Sequence, residues 1–565
     1  MENPGLKDYD LTNYRGVSNT NFFEEDSALK RIIQRHTESL QREHAEEMRE
    51  HLSGYGKLVG GILNDLTLKC HVEGKYGELQ KYDKTGKRID EIVYSPEQIE
   101  SRRLSYEYGV VNLDFHKSWK HEFTNVHRYA LTYLMNLNGE GGVACPLAMT
   151  DGMILALKKI GTEEQKKKYL PLVAGEDSKS YFMAGQYVTE RVGGSNVGAN
   201  RTIARKREDG KWILTGEKWF CSNPGDLWVT TARIGESSLI GLFLVHRFKE
   251  NGELNGHHIL RKKDIIGSRG KVTAEVVYDE LEAEELGRPA HGLVNLIKYV
   301  IKISRIHVGF GACGNSRRAV MEAFEYARFR TAYGKGLNEF PIYSKNLAVM
   351  HVLQTTLTFA NFKSIEFWEK DLPISEVIVP LLKYRSSSQA TSLCRTAILS
   401  LSGNGIIGDF SPLPRLLNDS IINESWEGTH FLLTEHILRA LEKPKSGKAF
   451  LEYLEESYSG LSGIDIDKIF VSQFRNLIDQ LKTLLSHDKK YRELYRIQIA
   501  ELAYACYGVS VLSEEIQYDL KTQSESIYTI LGRSFSDLMT FGVEGILPET
   551  SPLVSGESIG KILNY

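Results

Sequence analysis

Cysteine is scarce in this chain: six in 565 residues, with no C-x-x-C pair and no histidine at ligand spacing. That excludes a disulfide framework and a cysteine-based zinc site. Cys70, Cys145, Cys221, Cys313, Cys394 and Cys506 are expected to be reduced thiols, most of them buried. No run of 18 apolar residues occurs, which argues against a membrane-spanning helix. The first ten residues, MENPGLKDYD, have neither the basic start nor the apolar middle of a secretory signal. An excess of one charge is missing too. Lys and Arg number 70 against 73 Asp and Glu, a net of −3, so binding to a polyanion would need a local patch. These absences predict a soluble, cytoplasmic protein. Its length suits three or four domains, and 41% hydrophobic residues supply a large core.

What is present alternates between two periods. Leu29, Ile32, Ile33, His36 and Leu40 fall on one face of an amphipathic helix within 27–51, the first of several helices in a domain over 1–178. A short excursion at 79–96, LQKYDKTGKRIDEIVYSP, reads as two strands around a Lys84-Thr85-Gly86 turn. Thr162-Glu163-Glu164-Gln165 is a capping box opening a helix to about Leu170. Over 179–288 the period shortens to that of strands, with turn signals at Asp209-Gly210, Asn251-Gly252 and Gly267-Ser268-Arg269-Gly270. From 289 to 442 the helical period returns in long segments near 291–330, 341–370, 374–402 and 430–442, as a bundle requires. A last helical segment, 443–565, sets Ile469, Phe470, Phe474, Leu477, Ile478 and Leu481 on one face. The fold class is therefore α+β, mostly α: an N-terminal helical domain, a central β-barrel-like domain, a helical bundle and an extra C-terminal helical domain.

The stretch 185–223 carries the first chemical signal. Val188, Thr189 and Val192 have strand propensity, and Gly193-Gly194-Ser195-Asn196-Val197-Gly198 can present successive backbone N–H groups to an anionic group. On residues alone this is either a phosphate or flavin cradle, or a glycine-rich surface loop before an ordinary core strand. Val188-Thr189-Glu190 followed by Gly194-Ser195, and then Gly216-Glu217-Lys218-Trp219-Phe220-Cys221-Ser222, resembles the flavin-binding signatures of the acyl-CoA dehydrogenase family. The resemblance implies bound FAD. It assigns Gln186, Val188, Thr189, Gly194 and Ser195 to one contact and Phe220, Cys221 and Ser222 to another. Asn196 stands where the family usually has Asp. The pattern Tyr82, Asp83, Gly86, Arg88, Asp90, Val93, Pro96, together with 144–150, is similar to the AidB-like branch.

The resemblance also assigns the chemistry. Trp426-Glu427-Gly428-Thr429, ahead of a helical run, matches the family's base motif, although a Glu beside a helix start ordinarily serves only the helix dipole. It makes Glu427 the base that removes the α proton of an acyl-CoA thioester, with Glu424 as the rival and a carboxyl pKa raised by burial. Trp426, Thr429, Gly403, Arg330 and Tyr333 join the cofactor contacts, the last two serving the FAD of a neighbouring subunit. An alternative for Arg330 is a surface salt bridge. Ser195, Arg305 and Gly428 become substrate contacts, yet Lys302 replaces the acid that usually precedes Arg305, and Leu399 stands where many members have Gln. No metal ligand set is indicated. The implied partners are an acyl-CoA substrate, an electron-transfer flavoprotein as electron acceptor, and copies of this chain in a homotetramer.

Alternatives are an acyl-CoA oxidase, a non-turnover acyl-CoA sensor, and a nucleic-acid-associated flavoprotein. Against the last, 443–565 holds 13 Lys and Arg against 17 Asp and Glu, a net of −4. Two motifs are set aside. Gly403-Asn404-Gly405-Ile406-Ile407-Gly408 has the G-x-G-x-x-G spacing, but Pro412 and Pro414 argue that no helix start follows. Gly556 to Lys561 is one residue short of a P-loop and is expected to be a terminal loop.

Overall fold

The computed structural model describes residues 11–175 and 181–565, so MENPGLKDYD and the expected start of the β region at Lys179 lie outside the described residues. Contacts gather the chain into two compact units that cut across the sequence segments. Among the described residues, one comprises 62–124, 138–175 and 181–307; the other comprises 11–61, 125–137 and 308–565.

The first unit is built on strands. Strands β1 (Glu78–Tyr82) and β2 (Arg88–Val93) form the expected hairpin, with Gly86 at φ 83° in its turn. The main sheet contains β3 (Gly185–Tyr187), β4 (Ile203–Lys206), β5 (Trp212–Ser222), β6 (Leu227–Ile234), β7 (Ile240–His246), β8 (His257–Lys262) and β9 (Thr273–Glu285). Pairings β5–β4, β4–β6, β6–β7, β7–β9 and β9–β5 close a ring; β3, paired with both β5 and β6, bridges the same gap as β4, and β8 pairs with β9 alone. Closure removes the open edges that a flat sheet of these strands would leave. The inward positions of alternating strands fill the interior with Tyr187, Leu214, Cys221, Trp228, Phe243, Val276 and Tyr278. The Asp209-Gly210 hairpin forms as read, with Lys206 opposite Trp212 and Gly210 at φ 86°. The β1–β2 hairpin sits on this barrel: Leu79 and Ile92 join its core, and buried Asp90 accepts from Ile259 N–H (3.2 Å). Helices Ala144–Ile160 and Glu163–Ala174 cover another face, the second opened by the Thr162–Gln165 capping box and running past Leu170.

The second unit is helical. The stripe over 27–51 is two helices, Ser27–Thr37 and Arg42–Leu58, broken at the Ser39-Leu40 turn. Helices Asn125–Met135, Lys302–Phe329 (from 308), Pro341–Glu369, Ser375–Ser400, Leu413–Ser425 and His430–Glu442 follow. Pro341–Glu369 is buried on every side from Leu347 to Phe362, the mark of a central helix. Helix Arg496–Asp519 lies against it, with Tyr507 O–H donating to Ala360 O (3.0 Å). Gly508 permits the approach, since a Cβ there would lie 3.0 Å from Thr356 Cγ2 on that helix and 2.6 Å from the Phe535 ring of helix Ile527–Phe541. The segment 443–565 is thus continuous with the bundle in one core. Helix Lys468–Ser486 buries Phe470, Phe474, Leu477, Ile478 and Leu481, while Ile469 points to solvent.

Two readings are corrected. A helix does begin soon after Gly408, at Leu413, because a proline in the first helical turn loses no hydrogen bond that the helix could have made. Gly556–Leu563 is a helix capped by the Ser555 side chain, where a loop was expected.

Candidate functional site

In the β unit, strand pairing brings the two flavin-like signatures side by side. Gln186 on β3 lies opposite Ser222 on β5, and Ser222 lies opposite Thr273 on β9, so these three residues form a row across adjacent strands. Their neighbours Tyr187, Cys221 and Ala274 are in the barrel core, which puts the row on the outer face. Phe220, two residues before Ser222, shares that face and is 48% exposed. Cys221 and Val188 differ from the other assigned contacts of these signatures. The Cys221 thiol is buried in the barrel interior and burial raises its pKa, so only its backbone is available to a ligand. Val188 likewise buries its side chain against Met153, Leu157 and Val229. Gln186 Oε1 accepts from Ser304 O–H (3.2 Å), one position before Arg305, which is partly buried in the same unit.

The loop after β3 is held by a buried ion pair that the motif reading did not use. Lys218 Nζ donates to Glu190 Oε1 (2.7 Å), and neither side chain is more than 1% exposed. Glu190 also accepts from the backbone N–H groups of Arg201 (2.5 Å) and Thr202 (3.3 Å). Burial opposes ionisation of Glu190, but Lys218 and these donors outweigh it and hold the carboxyl below its usual range. Trp219 N–H donates to Thr189 O (2.8 Å), completing the tie between the two signatures. Within the loop Gly193 has φ 117°, and a Cβ on Gly194 would lie 2.4 Å from Thr189 Oγ1, leaving Ser195 and Asn196 exposed beyond it. Glycine is required at both positions for the chain to make this cradle.

In the helical unit, Glu427 occupies a four-residue turn between helices Leu413–Ser425 and His430–Glu442. Its φ is 56°, followed by 110° at Gly428. A non-glycine residue in this left-handed region costs about 1–3 kcal/mol and persists only where surrounding structure enforces it. The enforcement comes from Lys383, buried on helix Ser375–Ser400, whose Nζ donates to Gly428 O (2.6 Å) and Glu424 O (3.3 Å). Just beyond, Thr429 caps the next helix by backbone geometry, and the His430 imidazole contacts Ser387 Oγ (3.1 Å). Burial, reinforced by Lys383, lowers the His430 pKa to about 4. Trp426 is partly buried. Lys383 was not singled out by motif, though a lone cation within Val377-Ile378-Val379-Pro380-Leu381-Leu382-Lys383 is itself a signal.

The other assigned residues of this unit lie at turns. Arg330 follows helix Lys302–Phe329 and precedes a two-residue hairpin, Thr331–Ala332 with Lys335–Gly336, whose tip is Tyr333 (φ 50°) and Gly334 (φ 77°). Tyr333 is 95% exposed. Gly403 lies in a short 3-10 segment after Ser402 (φ 53°), tied to helix Lys302–Phe329 by Asn404 Nδ2 donating to Tyr326 O–H (3.1 Å). Among the described residues no cluster of His, Cys, Asp and Glu could hold a metal ion, and no helix is long and apolar enough to cross a membrane.

Residues 14–179 match the adaptive response protein AidB N-terminal domain. Residues 185–281 match the acyl-CoA dehydrogenase middle domain, and 291–442 match the acyl-CoA dehydrogenase C-terminal domain. Acyl-CoA dehydrogenase family member 11 of Caenorhabditis elegans is 27% identical over 441 residues, 74% of this chain and 70% of the relative. Putative acyl-CoA dehydrogenase AidB of Escherichia coli is 26% identical over 483 residues, 82% of this chain and 85% of the relative. The crystal structure of the Caenorhabditis elegans protein in complex with C11-CoA superposes with a TM-score of 0.79 at 24% identity, covering 98% of this chain and 92% of that one.

Proposed function

We infer function from the premise that this chain belongs to the acyl-CoA dehydrogenase family, in its AidB-like branch, and propose that it oxidises an acyl-CoA thioester to the α,β-unsaturated thioester with FAD as resident cofactor. What supports this most directly is the Trp426-Glu427-Gly428-Thr429 turn, where a carboxylate is kept in a costly backbone conformation by a buried lysine. The β unit suits the cofactor. Its outer face offers an exposed aromatic, Phe220, beside the polar row Gln186–Ser222–Thr273, and its glycine cradle has no room for a Cβ at Gly194.

In this reading Glu427 removes the α proton, and its own backbone N–H donates to the thioester oxygen, where charge develops as the proton leaves. When bound, FAD supplies the acceptor for hydride from the β carbon. In the β unit Gln186, Thr189, Ser195 and Ser222 would hold the cofactor's polar edge and Phe220 would lie against its rings; in the helical unit Trp426 would lie against the rings of an FAD, and Gly403 and Thr429 would line it. Ser195 and Arg305 of the β unit would hold the substrate, as would Gly428 of the helical unit. The reduced protein passes its electrons to an electron-transfer flavoprotein. The test is anaerobic titration of purified protein with saturated acyl-CoAs of graded length. The protein should be yellow, and its flavin absorbance should bleach with a cognate chain. A colourless protein that takes up no added FAD overturns the reading; a spectral shift without bleaching replaces it with a sensor.

We also propose a homotetramer in which Arg330 and Tyr333 meet the FAD of a neighbour. Tyr333 stands clear of its own subunit at the hairpin tip. Ile342, Leu399 and Ile406 are 74%, 63% and 74% exposed on neighbouring turns of the bundle, where Tyr343 O–H donates to Ser400 O. Contacts with another copy would cover these side chains. Light scattering at micromolar concentration should give four times the chain mass of 64.0 kDa. A monomer that retains FAD removes the role given to Arg330.

A further inference from the structure

One cation lies against the polar row on the barrel's outer face. Lys271 is 2% exposed, and its Nζ donates to Thr273 Oγ1 (2.7 Å) and Ser222 Oγ (3.1 Å), while the two hydroxyl oxygens are 3.3 Å apart. Its backbone leads directly into β9, and Asn223 N–H donates to Val272 O (2.8 Å), so the chain on either side of the row is fixed.

An ammonium group can only donate. Each hydroxyl that accepts from it gives up a lone pair and keeps its own hydrogen to donate. Thr273 and Ser222 are also in contact, and either hydroxyl can donate to the other; in one of the two arrangements Thr273 O–H fills the second lone pair of Ser222. Ser222 is then left as a donor alone, its hydrogen directed out of the triangle. A hydrogen bond donated by a hydroxyl that is itself held by a cation is strengthened in a low-dielectric setting.

We propose that Lys271 is a positioning residue that fixes Ser222 as a one-way hydrogen-bond donor toward the flavin and thereby favours its reduced, electron-rich form. The inference rests on the flavoprotein reading above, in which Ser222 meets the cofactor. Lys271 acts through Ser222, so its effect appears in the flavin's redox equilibrium and depends on the Ser222 hydroxyl.

The test measures the midpoint potential of the bound flavin by equilibration with a reference dye, without substrate. Lys271→Met should retain one FAD per chain, yet its reduced-to-oxidised ratio at a fixed potential should fall by about tenfold or more, the effect of one nearby charge. Lys271→Arg should restore most of the ratio. Ser222→Ala should lower it as well, and adding Lys271→Met to Ser222→Ala should change it little further. An unchanged potential in Lys271→Met, or full additivity in the double variant, overturns the proposal. Wild-type protein that holds FAD with a shifted potential but is bleached by no acyl-CoA would overturn the dehydrogenase activity and leave the role of Lys271 standing. Wild-type protein that takes up no FAD would overturn both.

Discussion

Glu427→Gln should leave FAD content and acyl-CoA binding nearly intact while flavin reduction by a cognate acyl-CoA slows by about 10² to 10⁴-fold, the range for loss of a positioned base. The amide fills the same volume and leaves the turn's backbone ties untouched, since Lys383 holds Gly428 O and Glu424 O and neither bond involves the Glu427 side chain. Glu424→Gln is the control, because Glu424 lies on the preceding helix and contributes its carbonyl to Lys383. Stopped-flow bleaching of the two variants, each checked for FAD stoichiometry, separates a chemical role from a folding defect. Reduction of Glu427→Gln at the wild-type rate would place the base elsewhere.

Lys218→Met should destabilise the β unit by about 3–5 kcal/mol, because it strips the counterion from Glu190 without removing the carboxylate from its buried site. Two backbone N–H donors remain with Glu190 and offset only part of the lost interaction. The loop they hold includes the Gly193-Gly194 cradle, so FAD retention should fall with stability. Adding Glu190→Gln should recover part of the loss, since a neutral amide still accepts from Arg201 and Thr202 without a bare charge. Denaturant titration of wild type and the two variants measures this. Equal midpoints for wild type and Lys218→Met would show that the pair contributes nothing to the loop's integrity.

Much of this was legible because the signals were local. The Asp209-Gly210 turn, the Thr162–Gln165 capping box and the alternation of β5 each depend on residues a few positions apart, and each formed where the sequence put it. The turn bearing Glu427 was located by its motif, but its left-handed φ was not, because Lys383 enforces it from another helix. Lys271 escaped notice for the same reason, since its two hydroxyl partners are set by strand register. Helix Leu413–Ser425 is not legible from Pro412 and Pro414, because prolines that break a helix interior also mark a helix start. The sequence segments also carry no sign that 443–565 shares one core with 341–369, as that depends on long-range contacts such as Gly508 against Thr356 and Tyr507 O–H donating to Ala360 O.

The interleaving of the two units sets an order of events during synthesis. Among the described residues, the β unit draws on 62–124, 138–175 and 181–307, so its contacts are available once about half the polypeptide has been made. The first helix of the other unit, Ser27–Thr37, finds its ionic partners almost five hundred residues downstream: Arg31 donates to Glu515 (2.9 Å) and Asp519 (2.5 Å). Leu29 and Ile33, both buried in the finished protein, must also wait for helix Pro341–Glu369, against which Ser27–Thr37 packs. Contacts of such long sequence separation form slowly, and apolar faces left waiting are prone to aggregate. The dense charge around them, from Lys30 and Arg31 to Arg35, Glu38, Arg42 and Glu43, keeps this early helix soluble while the rest of its core is still being made.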